Sequence, residues 1–306
     1  MVVLAFALIG CGARGAVVNG AAMGGEVAVF VASGPPAEAR TAALAARSRV
    51  EAIEAAVTDW VPGAPVVRLN AGETVAPSPE LVALGDATQR VHGATHGAFD
   101  PTVRPLLAVW PRDGSWPADA AVDEARARVG WSHVHRDGEG WRVEPGTEVG
   151  FGGIAQGYAA HEARAELGPH RGVVDVSGDL CVRGTFWVHV VAPRGDGFAA
   201  RVRLRDTCLS TSGDYADAAF SEGRRVHHVI DPRTGRPSSG AIAATVVDEE
   251  GAVADALATA LLVLGPDGSA VDALGAWALV WPESGPPTEL GRRPKGLRVR
   301  LQEARP

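Results

Sequence analysis

Residues 227–237 read HHVIDPRTGRP, and this stretch is the most specific guide to the fold and the chemistry of the chain. The pattern predicts a short strand that places His227 and His228 on opposite faces and then enters a Pro/Gly turn. A histidine near a carboxylate can act as a general base at neutral pH because its unperturbed pKa is about 6.5. The alternative is a strand-to-loop corner at which Asp231 simply caps the turn. Composition alone leaves both interpretations open.

A second informative stretch is DALAT, residues 255–259, within a helical pattern. Side chains four residues apart share one helix face, so the Asp255 carboxylate and the Thr259 hydroxyl would point the same way. Such oxygen ligands suit Mg²⁺, which uses few protein ligands and completes its shell with water and phosphate oxygens. The alternative is an ordinary solvated helix start.

A third stretch, GFGGIAQGYA at residues 150–159, places glycines where a helix opens. Glycines there let backbone N–H groups approach a phosphate, although they equally permit close packing of the helix against a neighbour. Two further turns are GAFDPTV at 97–103 and STSGDY at 210–215. Taken singly, either could be ordinary loop chemistry.

In their order along the chain, these segments resemble the ApbE family of FAD:protein FMN transferases. These are magnesium-dependent enzymes that move the FMN half of FAD onto a protein threonine. The match includes the SGD corner at 177–179 and extends from about Met23 to Leu264. The resemblance implies an α+β fold, a mixed sheet packed with helices, over residues 23–306. Residues 1–22 would then be a signal or lipoprotein-type leader and linker.

The resemblance also implies roles for individual residues. His228 matches the family's candidate general base. The magnesium ligands would be Asp255, Thr259 and the backbone carbonyl of Gly153. Contacts to FAD, the substrate, are implied for six positions: Met23, Trp60, Ala98, Phe99, Asp100 and Gln156.

Four features depart from the family pattern. Gly150 stands where an acid is usual, and Gln156 stands where a lysine is usual. Trp60 replaces a tyrosine but keeps an aromatic face for the flavin, and the loop before Asn70 lacks a Ser-Glu pair. A lost charge-assisted hydrogen bond is typically worth ~1.5–3 kcal/mol. Two alternatives therefore stay open: an FAD pyrophosphatase that yields FMN and AMP, and a non-catalytic FAD-binding protein.

The net charge of −7 argues against a nucleic-acid partner, because phosphates require clustered Lys and Arg. Residues 8–11, LIGC, resemble a lipobox in which Cys11 is lipidated, although no Lys or Arg precedes them. A buried N-terminal strand, or a gene start placed too far downstream, are the alternatives. The family resemblance implies an exported, lipid-anchored protein at the periplasmic face of the inner membrane. It also implies an acceptor among flavoprotein subunits of membrane redox complexes.

Apolar spacing predicts helices over 37–57, 119–129, 152–167 and 252–264, and a further helix opened by Ser78-Pro79. Strands are predicted over 27–32, 173–176, 187–191, 198–204 and 278–281, with a hairpin at 131–143. Residues 60–75 are expected to form a loop, and the Arg/Pro-rich tail is expected to be loose. Cys181 and Cys208 could form one bridge at most, and buried free thiols are the simpler expectation.

Overall fold

The computed structural model describes residues 15–110, 115–138, 140–194, 196–214, 219–221 and 224–302. Its helices are α1 Pro36–Val57, α2 Pro65–Asn70, α3 Pro79–Ala94, α4 Arg104–Val109, α5 Asp119–Arg126, α6 Ala155–Ala165, α7 Gly251–Leu264 and α8 Ser269–Leu274. Its strands are β1 Ala16–Ala22, β2 Gly25–Val31, β3 Val134–Asp137, β4 Gly140–Val143, β5 Gly172–Val176, β6 Asp179–Arg183, β7 Thr185–Val191, β8 Phe198–Arg205, β9 Cys208–Gly213, β10 Ala219–Ser221, β11 Arg224–Val226, β12 Ile230–Asp231, β13 Arg236–Pro237, β14 Ala243–Asp248, β15 Trp277–Trp281, β16 Thr288–Gly291 and β17 Arg298–Leu301.

The centre of the fold is an eight-stranded sheet in the order β1-β2-β5-β6-β9-β14-β15-β16. Every pairing in it is antiparallel. Helices α1, α6 and α7 pack on one face, and a three-stranded sheet, β17-β8-β7, packs on the other. The predicted α+β class is confirmed.

Both faces of the large sheet are buried, and alternate side chains divide between two cores. In β14, Val246 packs towards the helices, whereas Val247 packs towards the small sheet. This explains why β5 is buried at every position and shows no polar alternation in its sequence.

Most predicted elements are confirmed with small shifts of their ends. The cap at Ser78 is observed, because its hydroxyl oxygen accepts a hydrogen bond from the Leu81 N–H at 3.2 Å. The predicted loop at 60–75 was wrong in part, since α2 forms within it and starts with Pro65 in the first turn. The tail was also mispredicted as loose, because β17 pairs with β8 along Val299 and Val202.

The cysteine expectation was wrong. Cys181 on β6 and Cys208 on β9 are register partners, and they form a disulfide with Cα atoms 4.0 Å apart. The bridge faces the helices and lies beside His161 of α6, whose Nδ1 is 3.8 Å from the Cys208 sulfur. Strand register, which brings the two sulfurs together, is not visible in the spacing of the two cysteines.

Within the N-terminal part of the chain, the first strand of the fold begins at Ala16. Residues 16–22 form β1, the edge strand of the large sheet, so they belong to the folded domain and not to a linker. Cys11 and the proposed leader before it lie outside the described residues. Among the helices of the described chain, none combines the length and apolar character needed to cross a membrane.

Candidate active site

One cavity of about 530 Å³ collects the segments that stood out in the sequence. It is lined by parts of the 98–107 segment, the glycine-rich entry to α6, the turn between β5 and β6, the end of β9, the 228–232 segment and one face of α7. The size is within the range of small-molecule sites. The tertiary fold thus assembles into one pocket motifs that are separated along the chain.

Among the buried carboxylates on the wall of this cavity, Asp179 and Asp255 lie close to each other. Asp255, in the first half of α7, is 5% exposed, and its Oδ2 accepts a hydrogen bond from the Gly157 N–H at 3.0 Å. Burial raises the pKa of Asp255 to about 7, against the lowering effect of the N–H groups of Gly157 and Gln156. Burial, and then the charge of Asp255, raise the pKa of Asp179 well above its ordinary range. A cation would relieve this repulsion.

Hydroxyl and backbone oxygens complete the same wall. Thr259 lies one turn after Asp255, and its Oγ1 is 3.2 Å from the Ser212 Oγ. Gly153 lies close to it: a Cβ added there would sit 3.5 Å from the Thr259 Oγ1. These are the hard oxygen donors that Mg²⁺ prefers. The residues therefore fit a divalent cation, and the burial of Asp255 excludes the alternative of a solvated helix start.

The position of Asp255 depends on a close approach of two helices. A Cβ on Gly157 of α6 would lie 2.2 Å from the Gly251 carbonyl oxygen, and one on Gly251 would lie 2.0 Å from the Gly157 oxygen. Either contact is too short for any side chain. At Gly157 the packing interpretation is therefore the right one, whereas Gly150, Gly152 and Gly153 line the cavity.

The two histidines differ as predicted, although the segment is not a strand at that point. His227 is buried, with Nε2 3.0 Å from the Ser238 carbonyl oxygen and Nδ1 accepting from the Val229 N–H. His228 is exposed and lines the cavity. Strand β12 begins only at Ile230. Both carboxylate oxygens of Asp231 accept hydrogen bonds from Arg233, so Asp231 does cap the turn.

Four of the six predicted FAD-contacting residues line the cavity, namely Ala98, Phe99, Asp100 and Gln156. The carboxylate of Asp100 is itself engaged inside the protein, because it accepts from both the N–H and the hydroxyl of Thr102 and from the Trp131 N–H. These hydrogen bonds tie the Asp100 side chain to Thr102 and Trp131.

Met23 and Trp60 lie beyond the residues that line the cavity. Met23 is buried in a left-handed conformation with φ of 57°, and its carbonyl oxygen accepts a hydrogen bond from the Gln156 Nε2 at 3.0 Å. Trp60 is 57% exposed and follows Asp59, which does line the cavity. Flavin contact by these two residues stays a prediction.

Sequence reasoning did not single out three charged residues of the cavity: Asp59, Arg104 and Asp179. Asp179 ends the SGD corner, which was recognised as a motif without a role. Arg104 directly follows the FDPTV segment and is the one Lys or Arg among the described lining residues. Asp59 follows α1 and forms an ion pair with Arg104. Only this contact with Arg104 in the folded structure could have identified Asp59 as a residue of the site.

The chain is similar in sequence to known proteins of one family. The model of the ApbE family matches residues 23–273. The chain is 30% identical over 272 residues to the FAD:protein FMN transferase of Klebsiella pneumoniae, which covers 81% of this chain and 78% of that protein. It is 29% identical to the enzyme of the same name from Escherichia coli K12, over 71% and 69% of the two chains.

Solved structures of the family have the same fold. The crystal structure of the ApbE protein from Thermotoga maritima superposes with a TM-score of 0.81 at 29% identity, covering 90% of this chain and 97% of that one. The apo form of the flavinyl transferase ApbE from Pseudomonas stutzeri gives a TM-score of 0.79 at 26% identity, covering 90% and 95%.

Proposed function

The chain belongs to the ApbE family, and from that premise we propose that it is an FAD:protein FMN transferase acting on a threonine hydroxyl of an acceptor flavoprotein. The observation that carries the proposal is the convergence of separate motifs on one cavity with the buried carboxylates of Asp179 and Asp255 and an exposed histidine. A cavity of this kind offers oxygen ligands at one wall and a proton acceptor at another.

The chemistry needs a phosphorus centre, a nucleophile and a leaving group. Asp255, Thr259 and the Gly153 carbonyl would hold Mg²⁺, which when bound neutralises charge on the pyrophosphate of FAD. His228 accepts the proton of the threonine hydroxyl. The threonine oxygen forms a bond to the FMN-side phosphorus, the bond from that phosphorus to the bridging oxygen breaks, and AMP leaves with the oxygen.

The acceptor is a macromolecule, and the exposure of His228 supports this part of the proposal. A side chain exposed at a cavity wall can be approached by a loop of another protein. By the same resemblance, we propose that the acceptor is a flavin-carrying subunit of a membrane redox complex. We also propose export to the periplasmic face of the inner membrane, with a lipid on Cys11.

The test is a single-turnover assay with FAD, Mg²⁺ and the purified flavin-carrying domain of a membrane redox complex as acceptor. Covalent flavin is read by fluorescence on a denaturing gel, and AMP is measured in parallel. His228→Ala should slow transfer about 10²–10⁴-fold, because a positioned base contributes that much, while FAD affinity stays nearly unchanged. His227→Ala is the matched control and should lower thermal stability more than the transfer rate, since its imidazole is buried and hydrogen-bonded.

The outcomes separate the candidate functions. Covalent flavin with stoichiometric AMP supports the transferase. AMP and free FMN formed at the same rate without acceptor would identify a pyrophosphatase instead. Tight FAD binding with no AMP at any metal concentration would identify a non-catalytic flavin-binding protein. Wild-type rates in His228→Ala would remove the general-base role.

A further inference from the structure

The charge on the cavity wall poses a problem for an anionic substrate. The described lining residues include four carboxylates, on Asp59, Asp100, Asp179 and Asp255, and one guanidinium, on Arg104. A ligand with phosphate groups is repelled by such a wall unless cations intervene. A divalent metal would supply positive charge at Asp255, and the Arg104 guanidinium supplies positive charge elsewhere on the wall.

Arg104 is placed close to the metal-ligand set. A Cβ on Gly150 would touch the Arg104 side chain, and a Cβ on Gly153 would touch Thr259. Gly150 and Gly153 are three residues apart, so their Cα atoms are separated by at most about 11 Å. Arg104, Asp255 and Thr259 all line the same cavity, so a dinucleotide bound at the Asp255–Thr259 face of α7 can also reach the guanidinium.

The guanidinium is held in place and keeps donors available. Its Nη1 donates to the Asp59 carboxylate, and its Nε donates to Glu148 at 3.3 Å. Within the described chain, Nη2 makes no hydrogen bond. The Asp59 side chain is 12% exposed and that of Arg104 is 37% exposed, so the guanidinium is the more accessible partner of the pair.

Gly150 makes room for this ion pair. A Cβ at that position would lie 2.8 Å from the Arg104 Cδ and 2.9 Å from the Asp59 Oδ2. Gly150 does not have a positive φ among the described residues, so backbone conformation does not demand glycine here. The absence of a side chain is what lets Asp59 and Arg104 meet at the cavity wall.

We propose that Arg104 binds a phosphate group of the substrate, with Asp59 as its positioning residue and Gly150 as the space that admits the pair. The planar guanidinium can offer two parallel N–H groups to phosphate oxygens. Gln156 is neutral and its amide is engaged by Met23, so it does not supply that charge. The inference rests on the proposed function, because it takes FAD as the phosphate-bearing ligand.

The test compares two flavins that differ in their phosphates. FAD and riboflavin are titrated with Mg²⁺ at low salt, without acceptor protein, against wild type, Arg104→Met and Arg68→Met, by flavin fluorescence. Arg68 is the matched control, since it also pairs with a carboxylate, Glu73, but lies outside the cavity. We expect Arg104→Met to weaken FAD binding about 10- to 100-fold and to leave riboflavin binding unchanged. Arg68→Met should alter neither.

A second variant tests the positioning without removing the charge. Gly150→Ala should displace the pair and give a smaller loss of FAD affinity in the same direction, with thermal melts used to confirm folding. Equal FAD affinity in Arg104→Met and wild type would overturn this inference alone, as would equal losses for FAD and riboflavin. Failure of the wild type to bind FAD would overturn the proposed function and this inference with it.

Discussion

The contact between α6 and α7 allows a quantitative prediction for Gly157→Ala. The new Cβ would lie 2.2 Å from the Gly251 carbonyl oxygen and 2.7 Å from the Asp255 Cβ. Both neighbours belong to α7, and one of them is backbone, so no rotamer change relieves the contact. The two helices must separate by roughly 1 Å to restore ordinary carbon–oxygen distances.

The size of the effect follows from two opposing contributions. Overpacking of this kind costs about 1–3 kcal/mol, whereas alanine is favoured over glycine in a helix by about 0.8–1 kcal/mol. The matched control is Gly93→Ala on α3, where an added Cβ meets no atom within 4 Å. That variant receives the helix contribution alone and should be stabilised by up to about 1 kcal/mol. The two variants should therefore differ by about 1–3 kcal/mol.

The assay is urea unfolding of both variants beside wild type, followed by thermal melts with and without Mg²⁺. Separation of the helices would also move the Gly157 N–H away from Asp255, now 3.0 Å from it. We therefore expect Gly157→Ala to lose most of the Mg²⁺-induced rise in melting temperature that wild type shows. If Gly157→Ala proves as stable as Gly93→Ala, the packing argument is refuted.

Two further predictions concern charge and covalent structure. Metal-free wild type should lose stability as pH rises from about 4 to about 7, because the folded pKa of Asp255, about 7, exceeds its unfolded value of about 3.9. Urea titrations across that range measure the free energy of unfolding, and its decrease with pH should be smaller in Asp255→Asn. Mg²⁺ should stabilise wild type more at pH 8 than at pH 6. Cys208→Ser should reduce the free energy of unfolding by about 3.5 kcal/mol, as loop entropy predicts for a separation of 27 residues. If the variant melts at the same temperature as wild type with its disulfide intact, the bridge does not stabilise the fold.

The order of motifs was sufficient to predict the family and the α+β class. The apolar spacing predicted α1 and α7 nearly to the residue, and the cap at Ser78 predicted the start of α3. The histidine pair was predicted to point to opposite faces, and in the structure His227 is buried whereas His228 is exposed. The helix α2 and strand β17 were missed because both are short and depend on neighbours for their stability.

By itself, the sequence determined local properties: which residues share a helix face, where a helix is capped, and which segments match a known family. Only the tertiary structure decided which groups meet. The register of β6 and β9 joins Cys181 to Cys208, and the crossing of α6 and α7 buries Asp255 against Gly157. The pairing of Asp59 with Arg104 spans 45 residues. Such contacts arise from how separate elements pack, and since packing reflects the whole chain at once, no local pattern of residues encodes them.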